Sequence, residues 1–306
     1  MDVLSDAIAA VRLGQPSSSR LHTRQRDWCT RLDPYSGAGF HIVLRGSCWV
    51  LPDEGEPVRL GTGDAILLPH GAGHFLADRP SAAGAVPFEQ WRAAQPAGND
   101  SGTAEFEALC GKYRLHRQGR HPLVAELPPI IHLPARLGEH PELRAAIDLL
   151  AAEADQRRPG SCVAVPSLLD LLLVYMIRAW MAESRTGTWP AALTDPVTAA
   201  ALRALHTDPD APWTNDRLAV EIGVSRATLT RRFAALVGRP PMGYLTWWRL
   251  TRSAALLRDT TEPLATVADR AGYATAYAFS HAFKKQFGTA PGRYRHDHGV
   301  AGSSAG

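Results

Sequence analysis

Lysine is nearly missing from this 306-residue chain: Lys112, Lys284 and Lys285 stand against thirty arginines, a bias of composition that carries no functional reading. Cysteine is sparse as well. Cys29, Cys48, Cys110 and Cys162 lie far apart with no CxxC pair, which excludes a disulfide scaffold and a zinc ribbon and makes reduced thiols the default. Long apolar runs are lacking too. The greasiest, Leu171 to Ile177, is flanked by Asp170 and Arg178, so no membrane span is expected. The opening MDVLSDAIAAVRLG has acids where a secretory signal carries basic residues, and the cytoplasm is the expected compartment. With 45% hydrophobic and 21% charged residues the chain is neither disordered nor fibrous, and its length is a prior for two domains.

The net charge of +3 is unevenly spread. Residues 197–306 hold 14 Arg/Lys against 8 Asp/Glu, whereas residues 1–196 hold 19 against 22. A basic C-terminal third points to a polyanion such as DNA, or to a solvated face. From Gly39 to Asp78 short apolar runs, FHIVLRG, SCWVLP, PVRLG and DAILLP, are broken by Gly or Pro, the pattern of a β-sandwich or barrel. Segment 80–103 lacks periodicity and reads as a surface loop, and FEALCGKYRL and PLVAEL read as two further strands. From Pro141 the period becomes helical, with Leu143, Ile147 and Leu150 on one face, and Pro166 is expected to open a second helix running to about Met181. That helix is apolar nearly all round, which implies either a two-sided core or a self-complementary dimer face.

Beyond residue 196 nearly everything reads as helix. NDRLAVEIGVSRATLTRRFAALV contains a helix, a turn at Gly223, Ser225 as an N-cap, and a second helix whose Leu229, Phe233 and Leu236 face inward. Arg226, Ala227, Thr230 and Arg231 are left near its outward start, where a helix-turn-helix presents side chains to base edges. The pattern recurs in PLATVADRAGYATAYAFSHAFKKQF, with a turn at Gly272 and Phe279, Phe283 and Phe287 at i, i+4 and i+8. Two such units make double-stranded DNA the expected partner. Between them PMGYLTWWRLTRSAALLRD predicts a rod of roughly 25 Å at 1.5 Å per residue, which can set two recognition helices about 34 Å apart, in successive major grooves. Trp248, with Leu245 and Ala255, is expected to pack against the two units.

These residues carry a family resemblance. LAVEIGVSRATLTRRF, WWRLTRSAALL and VADRAGYATAYAFSHAFKKQFGTAPGRYR together resemble the DNA-binding domain of the AraC/XylS transcriptional regulators, over about a third of the chain. By position in that motif Ala227, Thr230 and Arg231 match the base-reading residues of the first recognition helix, and Ala276, Tyr277 and His281 those of the second. Lys284 and Lys285, just beyond, are expected on phosphates. In the first half, GTGDAILLPHGAGHFLAD resembles the second cupin motif through Gly63, Pro69, Gly71 and His74, with Asp78 in place of Asn. GFHIVLRGSCWV occupies the first motif position and keeps only His41. The resemblance implies an α+β chain: a cupin-like barrel with a helical dimerisation element over 1–183, a linker at 184–196, a tandem helix-turn-helix domain at 197–297 and a disordered tail at 298–306.

Two readings of the barrel stay open. His41 and His74 face one another and bind a transition metal, joined by Cys110 and by His121 as a fourth ligand, a Cys/His set that favours zinc. Alternatively they hydrogen-bond inside the barrel and bind nothing. Cys29, beside Arg26 and Arg31, is a candidate oxidant sensor with Cys110 as partner, because cationic neighbours lower a thiol's pKa. The expected function is a homodimeric, sequence-specific regulator answering a small-molecule, metal or oxidant effector and contacting RNA polymerase if it activates. The rival is a metal-dependent cupin enzyme fused to a DNA-binding domain, which needs an open metal position that the depleted first motif argues against.

Overall fold

The computed structural model describes residues 2–11, 15–95, 104–114, 121–136, 138–155, 159–184 and 188–298. The expected tail at 298–306 therefore lies, but for His298, outside the described residues. The chain divides into two compact units. One comprises Arg12–Arg117 and Leu127–Ser184; the other gathers Met1–Val11, Gln118–Glu126 and Arg185–Gly306. Two short stretches of the first half thus fold with the C-terminal helices, a division the expected boundary at 183 does not contain.

The first unit is a β-sandwich. Strands β1 (Ser17–Thr23), β2 (Cys29–Leu32), β3 (Gly37–Arg45), β4 (Ser47–Pro52), β5 (Val58–Gly61), β6 (Ala65–Leu68), β7 (His74–Ala77), β8 (Val86–Pro87), β9 (Phe106–Arg114) and β10 (Ile131–Leu133) form two five-stranded sheets. Their orders are β1-β9-β3-β6-β10 and β5-β4-β7-β2-β8. The four runs read from sequence are β3 to β6. Val43, Ile66 and Leu68 from one sheet meet Val50, Leu60 and Leu76 from the other in a single buried cluster, so the inner face of each strand supplies the core.

Segment 80–103 is not loop throughout. Its described part contains β8 and α2 (Phe88–Ala93), because Trp91 is buried with its ring 5.4 Å from that of Trp28. In α4 (Pro141–Asp155) the predicted face holds: Leu143, Ile147 and Leu150 are all buried. Helix α5 (Ser161–Glu183) begins five residues before Pro166. A proline here removes one hydrogen bond to the carbonyl of Cys162, which lies in the exposed first turn where water replaces it. One face of α5 covers the outer side of the first sheet, where the Tyr113 hydroxyl donates to the Leu169 carbonyl at 2.6 Å. Its length and hydropathy match those of a membrane span, but Asp170 and Arg178 interrupt it, and Leu169, Leu172, Leu173, Met176 and Ile177 are core.

The second unit is helical: α1 (Val3–Val11), α3 (Pro122–Glu126), α6 (Thr188–Thr194), α7 (Pro196–Thr207), α8 (Asn215–Glu221), α9 (Arg226–Val237), α10 (Pro241–Asp259), α11 (Leu264–Arg270), α12 (Ala276–Phe287) and α13 (Pro291–His298). PLVAEL is α3 and not a strand, its proline sitting at the helix start where no amide is needed. The expected linker is largely helix as well. Trp189 of α6 is 1% exposed, and the Asp195 carboxylate caps α7 by accepting from the Thr198 amide at 2.8 Å. Burying an indole holds the chain where Thr, Pro and Gly alone suggest a loop.

Candidate functional site

The two helix pairs α8–α9 and α11–α12 are built alike. Each turns at a glycine in the left-handed region, Gly223 (φ 70°) and Gly272 (φ 76°), where a Cβ is strained. Each second helix is capped by a hydroxyl: Ser225 accepts from the Thr228 amide and Thr275 from the Ala278 amide, both at 3.1 Å. Each ends at a left-handed glycine, Gly238 or Gly288, before a helix that starts on proline. Phe279, Phe283 and Phe287 are buried as their spacing predicts. In α9 the buried set is Leu229, Phe233 and Val237, with Leu236 only half-buried.

What remains outside is the candidate DNA-reading surface. On α9, Arg226, Ala227 and Arg231 are exposed, whereas Thr230 is half-buried with its hydroxyl donating to the Arg226 carbonyl at 2.9 Å. Arg226 pairs with Asp216 at 3.3 Å, so its charge is partly engaged within the pair of helices. Arg231 therefore has the chemistry for bidentate contact with guanine. On α12, Tyr277 is 84% exposed, and His281, Lys284 and Lys285 are exposed too. Ala276 is half-buried against the phenylalanine cluster and offers only a methyl group. Helix α10 has 19 residues, about 28 Å at 1.5 Å per residue. Trp248 is buried on it, in packing and not in a position to intercalate.

The first unit holds three of the four proposed sensor residues together. His41 of β3 and Cys110 of β9 are direct cross-strand partners in one sheet, and His74 opens β7 in the other. Gly71 places that strand: at φ 61° a Cβ there would come 2.3 Å from the Tyr35 carbonyl oxygen, so only glycine fits the turn. The Cys110 sulfur is 2.8 Å from His41 Nδ1, and His41 Nε2 is 2.7 Å from His74 Nε2. His74 Nδ1 is 3.0 Å from the Ala72 carbonyl, which only accepts. The protons are thereby assigned. His74 carries its proton on Nδ1, His41 donates Nε2–H to His74, and the Cys110 thiol donates to His41. Burial holds both histidines below their ordinary value, for His74 against the opposing bond to the Ala72 carbonyl, and burial with nearby Cys48 pushes the Cys110 thiol well up. All three groups are neutral.

This arrangement does not make a zinc site. Cys110 and His74 lie on opposite nitrogens of the His41 ring, so the three donors converge on no common point. His121 is not among them. It lies in the helical unit beside Tyr244, at 2.9 Å. Cys29 is also apart from Cys110, in a separate cluster with Leu51 and Ala77. Arg26 and Arg31 are engaged with Glu105 and Asp53, and burial and the Asp78 charge push the Cys29 thiol up despite Arg79. That is the reverse of an activated thiolate. His70, expected to be an exposed turn residue, is half-buried and bonded to the Leu127 carbonyl at 2.7 Å.

Comparison with known proteins agrees with this geometry. Residues 2–182 match the cupin family, and residues 218–297 match the helix-turn-helix domain family. An AraC-like transcription regulator of Streptomyces lividans is 33% identical over 96% of this chain and 98% of its own. One from Streptomyces antibioticus is 32% identical over the same shares. The HTH-type transcriptional regulator AlkR of Acinetobacter baylyi is 28% identical over 96% of this chain and 99% of its own. With a cupin half and an AraC-type DNA-binding half matched along nearly its whole length, the chain belongs to the AraC-like transcription regulators.

Proposed function

We propose that this regulator sets the recognition helices α9 and α12 of one subunit in two successive major grooves, and that its effector acts at the Cys110–His41–His74 chain. The observation carrying the second part is that chain itself: a fully paired run of neutral polar groups that crosses from one sheet to the other inside an apolar core. A ligand whose polar groups exchange with those hydrogen bonds changes which strands are held together. It switches the protein only if it binds one state better than the other. The diverging donors favour such a ligand over zinc, and the same geometry favours a regulator without catalysis over a metal-dependent enzyme. Both α9 and α12 present polar or basic side chains outward, which supports the first part.

The regulator works on DNA in the cytoplasm as a homodimer, and meets RNA polymerase where it activates. The dimer face supported best lies on α4 and α5, where Leu149, Val163 and Leu171 are large apolar side chains that are 57%, 73% and 46% exposed. The test is a reporter driven by a site selected from random DNA by the full chain and scanned against a metabolite panel. Wild type responds to at least one compound, whereas His74→Ala binds the site in one fixed state. A His74→Ala protein that switches like wild type makes the chain structural.

A further inference from the structure

The helical unit contains a second buried polar chain that the DNA-reading surface does not use. The Leu123 amide donates to His121 Nδ1 at 3.1 Å, and burial, with His206 next to it, holds this imidazole neutral. His121 therefore carries its proton on Nε2 and donates it to the Tyr244 hydroxyl at 2.9 Å. The tyrosine donates its own proton to His206 Nε2 at 2.7 Å, which leaves His206 Nδ1–H for the Asp6 carboxylate, also at 2.7 Å. This assignment leaves no proton unpaired. Asp6 and His206 are 3% exposed and His121 and Tyr244 are 0% exposed, so no water stands in for a missing partner. Trp248 stacks on His206 at 4.5 Å, and Trp189 and Trp247 set their rings against His121 at 4.9 and 5.3 Å.

The positions of these four residues in the chain give the network its meaning. Tyr244 sits in the first turn of α10, the helix that joins the two helix-turn-helix pairs, and His206 ends α7. Asp6 is on α1, which leads into β1, and His121 precedes α3 and follows β9. Strands β1 and β9 are antiparallel neighbours, and Ser19 on β1 stands opposite Cys110 on β9. In chain order the two outer members flank β1 and β9, and β9 bears the thiol that donates to His41. A buried polar chain is close to all-or-none, because losing one member strands the others unpaired. An apolar contact would slide instead.

We infer that Asp6, His121, His206 and Tyr244 are positioning residues for DNA recognition: they fasten segments 2–11 and 121–126 to the root of α10, and so fix the helix that joins the two helix-turn-helix pairs. The fastening stands independently of the sensor reading above. The test is hydrogen exchange on the full chain. Tyr244→Phe keeps the ring and removes only the hydroxyl. Peptides covering 2–11 and 121–126 should then exchange at least about tenfold faster, with those of α12 and β6 unchanged, and sites selected from random DNA should keep each base preference while tolerating a wider range of separations. Asp6→Asn, which still accepts from His206, should stay near wild type where Asp6→Ala does not. Unchanged exchange in Tyr244→Phe, or a uniform loss of protection across the helical unit, overturns the fastening. A His74→Ala protein that switches normally would remove the sensor reading and leave the fastening result standing.

Discussion

Cys110 and His41 stand directly opposite each other in the β3–β9 ladder, with the thiol sulfur 2.8 Å from the imidazole Nδ1. The thiol serves as a donor within the core and has no route to act as a free nucleophile. Cys29 and Cys48 are buried as well, the latter pushed up to about 12 by burial and then by the Asp64 charge. Cys162 is exposed. One thiol should therefore react quickly with a water-soluble disulfide reagent in the native protein, and four in denaturant. Removing Cys162 should abolish the fast phase, and a second fast thiol would mean that the core opens.

Acid should destabilise both units. His41, His74 and His121 are held below 6.5 in the folded state mainly by burial, whereas the unfolded chain takes up protons near that value. Stability from these groups is full above pH 6.5 and falls as the pH drops toward their folded values, by about 1.4 kcal/mol per pH unit for each histidine. Thermal melts from pH 8 to 5 should show the decline, and His74→Gln should reduce its slope in the β-sandwich. A melting temperature flat across that range contradicts the assignment of neutral histidines.

At the DNA surface the arginine and the lysines should separate by mechanism. Arg231→Ala should lose discrimination at one base position by about 1 to 3 kcal/mol, read by competition between substituted sites. Lys284→Ala and Lys285→Ala should weaken all sequences alike and lower the salt slope by about 0.9 each. A lysine variant with altered sequence preference and unchanged salt slope reverses the roles.

Leu171 and Leu172 distinguish association from folding. Leu171 is 46% exposed and Leu172 is 0% exposed, although both lie on the same apolar helix. Leu171→Asp should give monomers in sedimentation with the melting temperature kept, and Leu172→Asp should lose the fold. An intact Leu171→Asp dimer moves the interface elsewhere.

Much of this was legible from residue order. The runs that became β3 to β6 are apolar and punctuated by Gly or Pro, and the paired glycine turns and hydroxyl caps mark both helix-turn-helix units. Strand β1, SSSRLHT, is hidden because its residues are mostly polar, and PLVAEL reads as a strand yet folds as α3 because a short apolar run suits helix and strand alike. His121 shares its residue type with the sensor donors, yet its partners are tertiary. Asp6 and His206 are 200 residues apart, a pairing that no local spacing encodes.

One subunit should read two adjacent grooves through α9 and α12. The most direct measurement is selection of binding sites from random DNA by the full chain, followed by a hydroxyl-radical footprint on the selected duplex. The prediction is two conserved elements about one helical turn, roughly 10 base pairs, apart on one face for each subunit. Arg231→Ala should erase one element only. A single short element per subunit, or binding without sequence preference, would contradict the account.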